Sequence, residues 1–210
     1  MDDISKKTAE YLLQIKAIKL QPSNPFTWAS GWKSPIYCDN RKTLSFPEVR
    51  GFIRDSFAVK AGELYPQADL IAGVATGAIA HGVLVAERLQ LPFIYVRSEA
   101  KGHGLGNQIE GYFEKGQKVV VIEDLISTGG SSLSAVRALR DAGCEVLGML
   151  AIFTYEFGKA SDGFMAESCR LDTLSNYSTL IATAVETGYI GENDVETLKK
   201  WRNDPSVWGI

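Results

Sequence analysis

Apolar and polar residues alternate along this chain in blocks whose spacing changes. Ile4 to Lys19 carries apolar residues at Ile4, Tyr11, Leu12, Ile15 and Ile18, a stripe at helical spacing. Ser45 with Glu48 three residues on has the form of a capping box, and Pro47 falls in the first turn, so a helix is expected from there to about Leu64. From Asp69 the blocks shorten. DLIAGVA reads as a strand, Ile79 to Leu89 as a helix and PFIYV as a strand. After a long polar interruption, Val119 to Ile122 reads as a short strand buried on both faces, with Glu123 and Asp124 where it should end. A helical pattern through Leu133, Val136, Leu139 and Arg140 stops at Gly143, and CEVLGMLAIF is a further strand. A short strand around Arg170 to Leu174, a helix from Asn176 to Val185 and one from Glu192 to Arg202 complete the pattern. Strands separated by helices predict an α/β fold with a parallel sheet covered on both faces.

Phe26 to Lys42, FTWASGWKSPIYCDNRK, breaks the alternation. It is aromatic and turn-rich, and fits a small N-terminal hairpin subdomain or hood, about residues 20–45, on an otherwise single domain spanning 1–210. Composition changes the picture only by exclusion. A net charge of −3 without basic runs argues against nucleic acid as the main partner. Cys38, Cys144 and Cys169 form no C-x-x-C pair, which points to reduced thiols and a cytoplasmic setting. MDDISKKTAEYLLQIKAI does not read as a signal peptide. The most apolar stretch, Leu70 to Ala86, is short for a membrane span and is interrupted by Gly73, Gly77, His81 and Gly82.

The chemistry concentrates in VVVIEDLISTGGSS, Val119 to Ser132. A strand, a Gly/Ser/Thr loop and a helix start form an anion site, because free backbone N–H groups and the positive dipole end converge there. Neither the Walker pattern nor the G-x-G-x-x-G fingerprint is present. What sets the stretch apart is the acidic pair before the loop. Carboxylates accept from sugar hydroxyls, so the arrangement suits a ribose 5-phosphate. The alternative is that Glu123 and Asp124 merely end a strand and cap a turn.

Two other stretches are candidates. AGVATGAIAHG, Ala72 to Gly82, is a second small-residue loop after a strand, suited to close backbone approach to a ligand or simply to tight helix–strand packing. Tyr95 to Lys118 holds Arg97, Lys101 and His103 among glycines, suiting either a cationic lid over a polyanion or a solvated loop. His81 reads as structural, and two separated histidines make a zinc site improbable.

EDLISTGGSS resembles the phosphoribosyl-pyrophosphate loop of type I phosphoribosyltransferases. GVATGAIAHG is similar to the family's pyrophosphate loop, and RSEAKGHG to its catalytic loop. FTWASGWKSPIYCDNRK matches F-x-x-x-S-G-x-x-S-P-x-Y-x-D-x-R of the members that act on orotate, with Ser30, Gly31, Ser34, Pro35, Tyr37, Asp39 and Arg41 in place. The chain departs at Ala29, Gly77 and Ser98, where many members carry Lys, and near Thr154, where some carry Arg.

The resemblance implies a type I phosphoribosyltransferase fold and transfer of ribose 5-phosphate from 5-phosphoribosyl 1-pyrophosphate to orotate. It assigns catalysis to Lys101, Glu123 and Asp124. It assigns the phosphoribosyl pyrophosphate to Arg97, Lys101, His103, Glu123, Asp124, Leu125, Ile126, Ser127, Thr128, Gly129, Gly130 and Ser131, and orotate to Ser34, Tyr37 and Ser127. Mg²⁺ would ride mainly on substrate phosphates with no dedicated protein cage. A homodimer with shared sites is implied, with no nucleic-acid or membrane partner.

Overall fold

The computed structural model describes residues 3–28, 31–97, 108–206 and 208. Helix α1 (Asp3–Gln14) is followed by four short strands: β1 (Ile18–Leu20), β2 (Phe26–Thr27), β3 (Lys33–Ser34) and β4 (Ile36–Cys38). A 3₁₀ turn over Asn40–Ser45 leads into α2 (Pro47–Leu64), and then the alternation begins. It runs β5 (Leu70–Val74), α3 (Ile79–Leu89), β6 (Phe93–Val96), β7 (Ile109–Glu110), β8 (Lys118–Ile126), α4 (Gly130–Asp141) and β9 (Glu145–Thr154). The chain ends with α5 (Gly158–Ala166), β10 (Leu171–Asn176), α6 (Tyr177–Glu186) and α7 (Glu192–Asn203).

Six strands form one sheet in the order β10-β9-β8-β5-β6-β7, parallel except for β7, which runs antiparallel to β6. The sheet is buried on both faces, and successive residues of β8 divide between them. Val120 and Ile122 pack into the layer holding Leu12, Phe57, Val85 and Leu180 of α1, α2, α3 and α6. Val119 and Val121 pack with Leu133, Leu139 and Phe164 of α4 and α5. Each such side chain contributes about 1.5–3 kcal/mol through burial, which is why an unbroken β-branched run forms the middle of the sheet. The type I phosphoribosyltransferase architecture, a parallel sheet flanked by helices, is as the motifs imply.

Several boundaries differ from the sequence pattern. Helix α1 stops at Gln14 rather than running to Lys19, because Lys16 takes a left-handed φ of 56° and turns the chain into β1, which pairs with β4. No capping box forms at Ser45. That residue closes the 3₁₀ turn, Phe46 is the N-cap without a side-chain bond, and Glu48 instead accepts from Tyr11 Oη at 2.8 Å.

Strand β8 does not end before the acids but continues to Ile126. Parallel β9 is long enough to pair Glu123 with Ala151, Leu125 with Phe153 and Ile126 with Thr154. Helix α5 and strand β7 do not show in the sequence pattern. Two glycines and few large apolar residues hide the periodicity of α5, and two residues are too few to show a strand period. Among the described residues, no helix is long and apolar enough to cross a membrane.

Candidate active site

Strands β5 and β8 are neighbours, yet the chain leaves them in opposite directions, to β6 on one side and β9 on the other. Ligand crevices open at such points, beyond the carboxyl ends of the strands. A cleft of about 360 Å³ lies there. Its walls are Asp39, Asn40 and Arg41 from the 3₁₀ turn, Thr76 and Gly77 after β5, Glu123 and Asp124 on β8, and Ser131 on α4.

The acids are held differently. Glu123 is buried, with Oε2 accepting from Ser132 Oγ at 2.8 Å and Oε1 from the Asp124 N–H at 2.9 Å. Burial raises its pKa well above the usual carboxylate value, and the neighbouring Asp124 adds to this. The Asp124 carboxyl is also raised by burial, with Glu123 and then Arg41 pulling it back. Its carbonyl accepts from Asn40 Nδ2 at 2.6 Å, which ties the 3₁₀ turn to the end of β8. Arg41 is paired with Asp39 at 2.7 Å and holds that carboxyl below its usual range. The cleft therefore gathers three carboxyl groups, those of Asp39, Glu123 and Asp124, against one guanidinium, which suits a sugar gaining positive charge better than a bare polyanion.

Glycines in the loop after β5 serve close packing of the protein on itself. Gly73 and Gly82 let α3 close onto Phe93. At Gly77, however, a Cβ would run into the Asp124 carboxylate. A side chain at the position where many type I members carry Lys is thus incompatible with the present placement of Asp124.

Behind the acids, Gly129 (φ 80°) turns the chain into α4. The first bond of that helix is Leu133 N–H to Gly129 O at 2.9 Å, so the N–H groups of Gly130, Ser131 and Ser132 precede its ladder. Ser132 binds Glu123 directly and was missed by assigning the loop only as far as Ser131.

A second pocket of about 390 Å³ adjoins the first, and Cys38 and Leu125 line both. Trp28, Tyr37, Ser127 and Tyr155 also line it. Tyr155 follows β9 directly, and the position of a residue at a strand's carboxyl end was the available signal for it.

The remaining expected site residues divide. Ser127, Leu125, Asp124, Glu123, Ser131 and Tyr37 face one pocket or the other, and Thr128 lines a smaller neighbouring hollow with Trp32 and Lys159. Ile126 is fully buried, leaving only its backbone for a ligand. Ser34 does not reach the second pocket: its hydroxyl donates to Ile36 O at 2.8 Å and accepts from Ile36 N at 3.2 Å, a local turn that consumes it. Arg97 follows β6, with Nη1 3.6 Å from Glu110 Oε1 and its N–H bonded to Gln108 O at 2.9 Å. Lys101, His103 and Ser30, like Ala29 and Ser98, lie outside the described residues. His81 is buried, with Nε2 3.3 Å from Thr43 Oγ1.

The pattern of the phosphoribosyl transferase domain matches residues 55–181, more than half of the chain. The orotate phosphoribosyltransferase of Phocaeicola vulgatus is 60% identical over 208 residues, covering 99% of this chain and 98% of the relative. That of Bacillus caldolyticus is 59% identical over 201 residues, covering 96% and 97%. The crystal structure of orotate phosphoribosyltransferase from Aeropyrum pernix superposes with a TM-score of 0.76 at 30% identity, covering 87% of this chain and 99% of that one. Likeness that runs almost end to end in both directions, over a sheet and cleft of this form, makes the chain a member of the orotate phosphoribosyltransferase family.

Proposed function

We propose that this chain transfers the ribose 5-phosphate group of 5-phosphoribosyl 1-pyrophosphate to orotate, giving orotidine 5′-monophosphate and pyrophosphate in pyrimidine nucleotide (UMP) synthesis. The observation that carries this reading is that an acidic cleft and an aromatic pocket lie side by side, with Cys38 and Leu125 in the walls of both. A ribosyl group in the acidic cleft and a flat base in the aromatic pocket meet where a C1′–N bond would form.

The C1′–O bond to pyrophosphate breaks as the C1′–N bond forms, and positive charge develops on the sugar. Asp124 and Glu123 hold the ribose hydroxyls and stabilise that charge, while Ser127 to Ser131 cradle the 5′-phosphate on the α4 N–H groups. Catalysis is positioning and electrostatics, with no covalent nucleophile. Arg97, Lys101 and His103 take up charge on the leaving pyrophosphate. Ser34 shapes the turn before Tyr37 rather than touching the base.

The donor set fits magnesium carried in on the diphosphate. Asp124 offers a hard carboxylate oxygen on the cleft. When bound, the metal supplies charge neutralisation on the leaving diphosphate. We place the enzyme in the cytoplasm as a homodimer in which the loop bearing Lys101 serves the partner's cleft, under a hood built from β1 to β4.

Pyrophosphate release from 5-phosphoribosyl 1-pyrophosphate and Mg²⁺, with orotate, uracil, hypoxanthine or adenine as acceptor, tests the reaction. Orotate should be preferred by orders of magnitude, and an equal or greater rate with another base refutes the reading. Refolding Lys101→Ala and Asp124→Asn together tests the shared site. Random pairing makes about half the dimers mixed, so about a quarter of sites should recover under a twofold dimer. Recovery near zero, with heterodimers present, refutes sharing.

A further inference from the structure

The base pocket is short of cations. Among the described residues that line it there is no Lys or Arg, and Lys33, next to it on β3, has its ammonium on the Thr27 hydroxyl at 2.9 Å. A carboxylated pyrimidine entering this pocket has to find donors of another kind.

Tyr155 is placed to be one. It is only 2% exposed, and what covers it is aromatic. Trp28 lies at 5.3 Å between ring centroids, Phe157 is stacked at 5.4 Å, and Phe153 and Trp201 stand edge-on at 5.7 Å. Rings so packed hold a phenol without supplying an acceptor. Among the described residues, the hydroxyl has no hydrogen-bond partner. The fully sealed side-chain atoms without a hydrogen bond, again among the described residues, belong to Tyr65, Arg97, Ser175, Thr183 and Trp201, and Tyr155 is not among them. Its hydroxyl therefore opens on the pocket that the residue lines. A buried polar group left unmatched is costly and is retained where a ligand completes it.

We propose that the Tyr155 hydroxyl is the specificity-determining donor for the carboxylate of the pyrimidine, so that this protein recognises an anionic base through a neutral phenol rather than a side-chain cation. The inference rests on the proposed reaction and names the group that separates orotate from uracil. Burial, with Cys38, Tyr177 and Tyr37 nearby, also raises the phenol's pKa, which keeps the proton available for donation at every working pH. A hydrogen bond from a neutral donor to an ionised acceptor is among the stronger ones, and a site built around it rejects an analogue lacking the acceptor.

The test is Tyr155→Phe, which keeps the ring packing and removes one oxygen. Dissociation constants are measured for orotidine and uridine 5′-monophosphates, which differ only by the carboxylate. In the variant, binding of the orotidine nucleotide should weaken about tenfold, with uridine nucleotide binding unchanged. KM for orotate should rise similarly while KM for 5-phosphoribosyl 1-pyrophosphate stays put. Unchanged orotidine nucleotide binding, or equal loss for both nucleotides, overturns the inference. Wild-type protein that does not prefer the orotidine nucleotide overturns instead the proposed reaction, so the two failures are distinguishable.

Discussion

His81 offers a stability effect whose size follows from its surroundings. It lies on α3 against Thr43 and is 2% exposed, and burial pushes its pKa from 6.5 down to about 4. Above pH 6.5 neither the folded nor the unfolded chain holds a proton there, and the stability is fully present. As pH falls through 6.5 the unfolded chain gains a proton that the folded protein refuses until about pH 4, so stability is lost across that window. At about 1.4 kcal/mol per tenfold difference in proton affinity, the loss between pH 7 and pH 5 is about 2 kcal/mol. For a chain of this length that is a fall of about 4–8 °C in the melting temperature. Glu123, with its raised pKa, works in the opposite sense, because the folded protein takes up its proton first. Comparing wild type with His81→Gln at both pH values cancels that and every other common group. The variant should lose about 2 kcal/mol less than wild type over this range, whatever its stability at pH 7. Equal losses in the two proteins would refute the claim that His81 is held neutral by burial.

Two further substitutions probe the cleft and its support. Gly77→Ala should push the Asp124 carboxylate aside and lower kcat/KM about 10–100-fold, with thermal stability nearly unchanged; a fully active variant would show that the close approach is unimportant. Trp201→Ala should cost about 3–5 kcal/mol in urea unfolding, since the indole is fully buried among Trp28, Tyr155, Phe157 and Tyr177. It should also raise KM for orotate, because Trp28 and Tyr155 line the base pocket, and wild-type values for both quantities would contradict this packing argument.

Local pattern alone determined the parallel sheet and its covering helices. Period and turn residues are properties of neighbouring positions, which is why the bounds of α3 match its apolar block and Gly143 (φ 93°) follows α4. The acidic pair and the small-residue loop after it were legible for the same reason, since strand, loop and helix start are contiguous in the chain. Other features were decided only by partners distant in sequence. Strand β8 continues past its apolar run because β9 offers paired backbone, and Ser45 fails to cap because the 3₁₀ turn already uses it. The hydroxyl of Ser34 is held in a local turn by Ile36, while Asn40 and Ser132 support the cleft by reaching Asp124 and Glu123. The aromatic pocket depends most on tertiary structure. Trp28 and Tyr155 are more than a hundred residues apart, and they meet because the N-terminal hairpin, the end of β9 and Trp201 on α7 close one aromatic cluster. No spacing rule along the chain encodes such a meeting, because it is set by the burial of rings brought together from separate elements.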